Sequence, residues 1–192
     1  MAVSFSLTDE EQKCLGALAV GAIDDALAGR PLAAPRAETV PASMHRQLGC
    51  FVTLTIHGRL RGCIGLIQAD TPLYDNVWRM ALSAAFRDPR FRQLSAAEWP
   101  LTDVEINVLD SLSPCPNPDD IVIGRHGLVL RHRGRTGVFL PSVPVEQGWT
   151  LPQYLTHLCA KAGLPDGSWK EPGSQLLWYE SFAFNVKRGQ AD

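Results

Sequence analysis

Two strand-like runs joined by a short turn constrain this chain most. Cys50 to Ile56 is rich in Phe, Val, Thr, Leu and Ile and reads as a strand. His57-Gly58-Arg59 is a turn, and Leu60 to Ile67 reads as a second strand. A connection this short makes the pair antiparallel, because a parallel crossover needs a dozen residues or more. The second strand carries Leu60-Arg61-Gly62-Cys63-Ile64-Gly65, which sets a cation, a thiol and two glycines side by side. Simple alternation puts Arg61, Cys63, Gly65 and Ile67 on one face and Leu60, Gly62, Ile64 and Leu66 on the other. Two glycines inside a strand predict that a bulge breaks this alternation, or that another element approaches closely.

The flanking segments alternate helix and strand. Thr8-Asp9-Glu10-Glu11 is a capping box that opens a helix from about Thr8 to Ala28, stopped by Gly29. Residues 30–42 hold three prolines and form a loop. Thr71-Pro72 starts the next helix with Thr as N-cap, and Leu73, Val77, Met80, Ala81, Ala84 and Ala85 form its apolar stripe. Pro89 ends that helix, so Asp88-Pro89-Arg90-Phe91 is a fixed charged turn. Ser95 caps a short turn with Glu98. Val104 to Val108 alternates as a half-buried strand, and Ser111 to Asp120 is a proline-rich loop. Gly127–Leu130 and Gly137–Leu140 read as a hairpin around Arg131-His132-Arg133-Gly134-Arg135. Thr150 to Gln153 caps a helix that ends at Gly163, and Leu176 to Val186 reads as one aromatic strand. This order predicts an α+β fold with a largely antiparallel sheet and flanking helices.

With 192 residues, 45% apolar and 20% charged, the chain is long enough for one domain with a real core, spanning residues 1–192. A net charge of −2 argues against a general nucleic-acid binder. No apolar run reaches the length of a membrane span, and the N-terminus lacks the pattern of a signal peptide. The five scattered cysteines fit reduced thiols, so a cytoplasmic protein is expected.

Cys63 is the sharpest chemical candidate. A thiolate is the reactive form, and a neighbouring cation favours it; Arg61 is the cation nearest in sequence. The backbone amides of Gly62 and Gly65 could cradle an anion. The plainer alternative is a core cysteine among packing glycines. Arg87, Asp88, Arg90 and Arg92 could hold a carboxylate or phosphate through guanidinium forks, or could simply pin their turn. A nucleophilic cysteine usually needs a base. Among the histidines His126 is the candidate, while Glu105 is either a base on a cleft face or a solvated residue. The Arg131–Arg135 tip is basic but lacks stacking aromatics and reads as a solvated loop. No zinc, Walker or dinucleotide motif is present, so neither a metal nor a cofactor is expected.

The motif strand, with Gly49-Cys50-Phe51-Val52-Thr53-Leu54 before it, resembles a known family. So do Ala84-Ala85-Phe86-Arg87-Asp88-Pro89-Arg90-Phe91, Phe139-Leu140-Pro141-Ser142-Val143 with Glu146-Gln147-Gly148-Trp149, and Leu158-Cys159-Ala160-Lys161-Ala162-Gly163-Leu164. In order and spacing these blocks resemble the AMMECR family across roughly residues 8–186. The family is named from the human region linked to Alport syndrome, midface hypoplasia and elliptocytosis; its prokaryotic members are called AmmeMemoRadiSam system protein A. Pro144-Val145 and Asn107 depart from the family's more usual alanine and serine. The resemblance implies an α+β domain with a larger and a smaller lobe, intimately packed, the cysteine motif lying near the cleft. It also implies Memo-like and radical-SAM proteins as partners. It brings no established catalytic residue.

The reading that follows is a cleft at Leu60–Gly65 that binds a small anionic ligand. Cys63 is its reactive thiol, Arg61 its activating or ligand-pairing cation, Gly62 and Gly65 the cradle, and Arg87, Asp88 and Arg90 assist. A non-catalytic protein-interaction module and a nucleic-acid-associated factor are the alternatives.

Overall fold

The computed structural model describes residues 5–187. In chain order the elements are α1 (Asp9–Leu27), β1 (Cys50–Ile56), β2 (Arg59–Leu66), α2 (Leu73–Phe86), β3 (Thr102–Leu109), β4 (Ser113–Pro114), β5 (Gly127–His132), β6 (Arg135–Phe139), α3 (Ser142–Glu146), α4 (Leu151–Lys161), β7 (Gln175–Tyr179) and β8 (Ser181–Asn185). They form an α+β fold with two four-stranded sheets, ordered β2-β1-β3-β8 and β4-β7-β5-β6. The described chain divides into two compact units: residues 6–109 with residues 182–187, and residues 110–181 with Phe5. No helix among the described residues is long and apolar enough to cross a membrane.

In the first unit the capping box of α1 forms as expected. The Glu11 amide donates to Thr8 Oγ1 at 3.3 Å, and the Thr8 amide donates to Glu11 Oε2 at 2.8 Å. α2 starts one residue later than expected. Pro72 is its N-cap, and the Thr71 hydroxyl donates instead to Asn76 Oδ1. That leaves the buried Asn76 amide nitrogen to donate to the carbonyls of Leu48 and Thr71. α2 packs on α1 and across β1 and β2. Val52, Leu54, Val104, Ile106 and Val108 are fully or almost fully buried. Each such side chain contributes about 2 kcal/mol of apolar burial.

The hairpin turn is two residues long, His57 and Gly58, with φ of 51° and 72°. Two successive positive φ values give the turn whose twist suits a two-residue hairpin. The expected bulge is present. Leu54 pairs with Gly62 while Thr55 pairs with Leu60, so Arg61 is the extra residue. The close approach is present too. A Cβ on Gly62 would fall 2.2 Å from the Ala84 carbonyl oxygen, so the bare glycine lets the α2 backbone lie directly on β2.

The second unit repeats the device. Leu128, Leu130, Tyr154, Leu155, Leu158 and Cys159 form its core. On β6 a Cβ at Gly137 would meet the Leu158 carbonyl oxygen and Ala162 nitrogen of the α4 segment at 2.7 Å. α4 opens with Gln153 Oε1 accepting from the Thr150 amide at 2.9 Å.

Two further expectations need correction, and one element was not expected. The aromatic run 176–186 is two strands in two sheets, interrupted at Glu180. The Glu180 carboxylate accepts from the Phe5 amide and from Arg125, and its carbonyl accepts from the Asp110 amide. The second hairpin runs on to His132 and Arg135, so its tip is only Arg133 and Gly134. α3 was not anticipated, since five residues are too few to show helical periodicity.

The Gly62 contact yields a paired prediction. Gly62→Ala should destabilise the fold by about 3 kcal/mol, because backbone rather than a yielding side chain stands in the way. Gly21→Ala, in a helix with nothing near the added carbon, should stabilise it by about 0.5–1 kcal/mol. Equilibrium urea unfolding of the two variants against the parent checks both signs.

Candidate functional site

β2 is an edge strand, and its outer side is occupied by side chains rather than by another strand. The Cys63 amide donates to Asp88 Oδ2 at 2.9 Å. The Cys63 carbonyl accepts from an Arg90 guanidinium nitrogen at 3.0 Å. Asp88 and Arg90 thus offer Cys63 the acceptor and donor that a neighbouring strand would offer. The two are joined to each other by Arg90 Nε on Asp88 Oδ1 at 2.9 Å and by the outer guanidinium nitrogen on Oδ2 at 2.7 Å. The Arg90 amide also donates to Oδ1. The Asp88 side chain is 1% exposed. Its carboxyl is held far below the ordinary range, first by Arg90 and then by the Cys63 amide, against the opposing effect of burial.

Arg61 has a different partner. As the bulge residue it leaves the alternation, and Nε and a terminal nitrogen donate to the two Glu98 oxygens at 2.9 and 3.1 Å. Glu98 also accepts from the amide and hydroxyl of Ser95, as the capping pattern predicts. The Arg61 guanidinium, ahead of the Ser95 bonds, holds the Glu98 carboxyl down at about 2. The Phe91 ring lies near both cations, 6.0 Å from Arg61 Cζ and 5.5 Å from Arg90 Cζ. Only 13% of the Arg61 side chain is exposed, and its guanidinium is engaged by both oxygens of Glu98. The cation beside Cys63 is Arg90. Asp88 first, and more weakly the Cys63 sulfur, raise the Arg90 guanidinium above its ordinary range.

The face of the sheet that α2 leaves open carries the thiol. Cys63 pairs with Thr53, and Thr53 with Glu105, so the three form one row across β2, β1 and β3. The Thr53 hydroxyl donates to Cys63 Sγ at 3.3 Å. Cys63 is half-buried and Glu105 exposed. The next row is Gly65, Phe51 and Asn107. A Cβ on Gly65 would overlap the Phe51 ring, so this glycine makes room for an aromatic side chain. Because Cys63 directs its N–H and C=O to the edge, Gly65 does the same and Gly62 turns toward β1. Of the two glycines only Gly65 therefore has an outward amide. Arg87 and Arg92 are exposed at the same turn as Arg90.

Most of the other candidates serve their own surroundings. His126 Nδ1 accepts from the Val122 amide at 3.0 Å, and its ring lies 4.6 Å from that of Trp178. Burial, helped by Arg125, lowers its pKa. His157 stacks on Trp149. The basic tip is not a free patch: Arg133 donates to Glu171, Arg135 to the Gly163 carbonyl, and His132 is buried. No group of three or more His, Cys, Asp or Glu side chains among the described residues could hold a metal ion. Sequence reading missed Thr53 and the pairing of Arg90 with Cys63. The signal for Thr53 was its place across the hairpin, which only the position of the bulge makes definite.

The two depressed carboxyls make an acid-side prediction. Their folded pKa values lie below their unfolded ones, so the stabilisation is complete above the unfolded value and is lost as pH falls toward the folded one. For Glu98 that window runs from 4.5 down to about 2. Stability should fall through it, and Glu98→Gln should flatten the fall. Asp88→Asn should cost about 2 kcal/mol at pH near 7, where the native carboxylate holds charge-assisted bonds. Chemical denaturation at a series of pH values reads both effects.

The sequence and the fold also match known proteins. The AMMECR1 family model matches residues 17–184. Protein MJ0810 of Methanocaldococcus jannaschii is 36% identical over 186 residues, covering 93% of this chain and 91% of that protein. A protein of Aquifex aeolicus is 33% identical over 173 residues, covering 86% and 88%. The crystal structure of an uncharacterized protein, PH0010 from Pyrococcus horikoshii, superposes with a TM-score of 0.81 at 31% identity and covers 94% of each chain. A family model spanning most of the chain, together with relatives matched over nearly their whole length, places this chain in the AMMECR1 family.

Proposed function

We propose that the open sheet face at Cys63 binds a small anionic ligand and presents the thiol to it as a nucleophile. The observation that carries this reading is the position of Arg90. Its inner edge is bonded to Asp88 and to the Cys63 carbonyl, yet 54% of its side chain remains exposed beside the sulfur. A cation oriented in this way favours a thiolate and can also pair with an incoming anion. Thr53 gives the sulfur a hydrogen-bond donor, and Glu105, one strand further across the row, is a carboxylate available to take a proton from a bound ligand. Arg61, set aside on Glu98, supports the turn that carries Arg90. Gly65 supplies the outward amide, and Arg87 adds positive charge at the rim.

Alkylation read by peptide mass spectrometry tests this. Cys63 should react with iodoacetamide in the folded protein. Cys50 and Cys159, both fully buried, should react only on unfolding; burial pushes the Cys50 thiol up to about 12. Arg90→Gln should slow Cys63 by roughly threefold or more. The anionic reagent iodoacetate should be favoured over iodoacetamide at Cys63 more than at Cys14, whose thiol is raised by burial and by Glu10. Labelling of Cys63 only after unfolding would sink the proposal. An unchanged reagent preference in Arg90→Gln would remove the anion from it.

A further inference from the structure

The second unit holds a cluster that the Cys63 site does not use. His132, at the end of β5, is buried, its side chain 5% exposed. Its Nε2 lies 3.0 Å from Glu171 Oε2, and its Nδ1 lies 2.9 Å from Ser174 Oγ. Glu171 is itself oriented from two sides. Arg133 donates to Oε2 at 3.0 Å, and the Ser168 hydroxyl donates to Oε1 at 3.3 Å. The order is acid, imidazole, hydroxyl: a base within hydrogen-bond reach of a nucleophile, and turned toward it by a third group.

Hydrogen-bond accounting gives the tautomer. Glu171 Oε2 already accepts from Arg133 and can only accept again, so His132 Nε2 carries the proton between them. Nδ1 then presents its lone pair to Ser174. The Ser174 hydroxyl has two acceptors within reach, His132 Nδ1 and the Ser168 carbonyl at 2.5 Å, and a rotation about its C–O bond moves the proton from one to the other. Gly173, just before the serine, is exposed and has no side chain to cover the approach; its φ of 84° suits glycine. Ser174 is half-buried, which favours short acyl groups.

We infer that Ser174, His132 and Glu171 form a second chemical site, one for acyl transfer from small carboxylic esters to water. Ser174 Oγ bonds to the acyl carbon as its proton passes to His132 Nδ1. The ester C–O bond breaks, and the same nitrogen returns the proton to the departing alkoxide. Water then attacks the acyl-serine, giving its proton to Nδ1, and the Ser174 oxygen takes that proton back as the carboxylic acid leaves. Glu171 holds the imidazole in the required tautomer throughout and faces the positive ring that forms in each half. The site belongs to the second unit and Cys63 to the first, and its chemistry needs no metal, cofactor or second protein.

The test uses the full chain and a fluorophosphonate, a probe that phosphonylates activated serines, with the adduct located by peptide mass spectrometry. The expected result is an adduct on Ser174, formed at least about tenfold more slowly in Glu171→Gln. Hydrolysis of p-nitrophenyl acetate should fall about a hundredfold or more in Ser174→Ala after subtraction of the label-independent background. Absence of a Ser174 adduct in the folded parent overturns the inference. So does equal labelling in a Glu171→Gln chain that melts like the parent. Should that variant not fold, the parent alone decides: the Ser174 adduct must form in the folded chain and be lost on unfolding in urea, and equal labelling of the folded and unfolded chain overturns the inference.

Discussion

The Asp88 carboxylate closes the edge of a sheet. An unprotected edge strand exposes a row of donors and acceptors to any passing chain. Here the motif strand β2 is the edge, and the Asp88–Arg90 pair meets both main-chain groups of Cys63. Charge-assisted bonds of this kind are worth about 1.5–3 kcal/mol each, more than a neutral ladder bond. The carboxylate is buried, so the ion pair is also what makes its burial tolerable; unpaired, it would cost several kcal/mol. The pair follows directly on α2, and the Pro89 between its two members fixes the turn. Holding β2 through Asp88 therefore holds the end of α2 against the strand. That contact is close enough to require the bare Gly62 beneath Ala84.

The bulge at Arg61 decides which way the thiol points. With a two-residue turn and no bulge, Ile56 opposite Arg59 would bring Cys63 opposite Val52, on the face packed under the helix. The extra residue moves Cys63 opposite Thr53, on the open face. A slip of one residue exchanges the two faces of a strand. The same slip brings Gly62, and not a larger side chain, beneath α2. The bulge, the glycine and the half-buried thiol are thus one arrangement seen at three neighbouring positions.

Much of this was legible because it is local. Thr8 with Glu11, the hairpin at His57-Gly58, the break at Pro89 and the turn of Ser95 with Glu98 all lie within a few residues of their partners. The glycines forecast a bulge or a close approach, and both are there. What could not be read depends on partners distant in sequence. The run 176–186 keeps strand-like composition throughout; only Asp110, Phe5 and Arg125, meeting at Glu180, show where one sheet ends and the other begins. His132 read as part of a solvated basic tip because the residues that enclose it, Glu171 and Ser174, come about forty positions later. α3 is too short for any periodicity to emerge.

Arg61 and Arg90 differ in how much of each cation is left to solvent. Both guanidiniums flank Phe91, and both have a carboxylate. The difference is how much of each cation its carboxylate uses. Glu98 takes Arg61 through both of its oxygens, and the Gln93 carbonyl takes another bond, leaving little of that side chain to solvent. Asp88 is spent on both the Cys63 amide and Arg90, so it orients the guanidinium along the strand edge while more than half of the side chain stays open. An ion pair that satisfies a cation completely removes it from further chemistry. One that satisfies it in part orients what remains, and the Asp88 pair holds Arg90 along the strand edge on the Cys63 carbonyl.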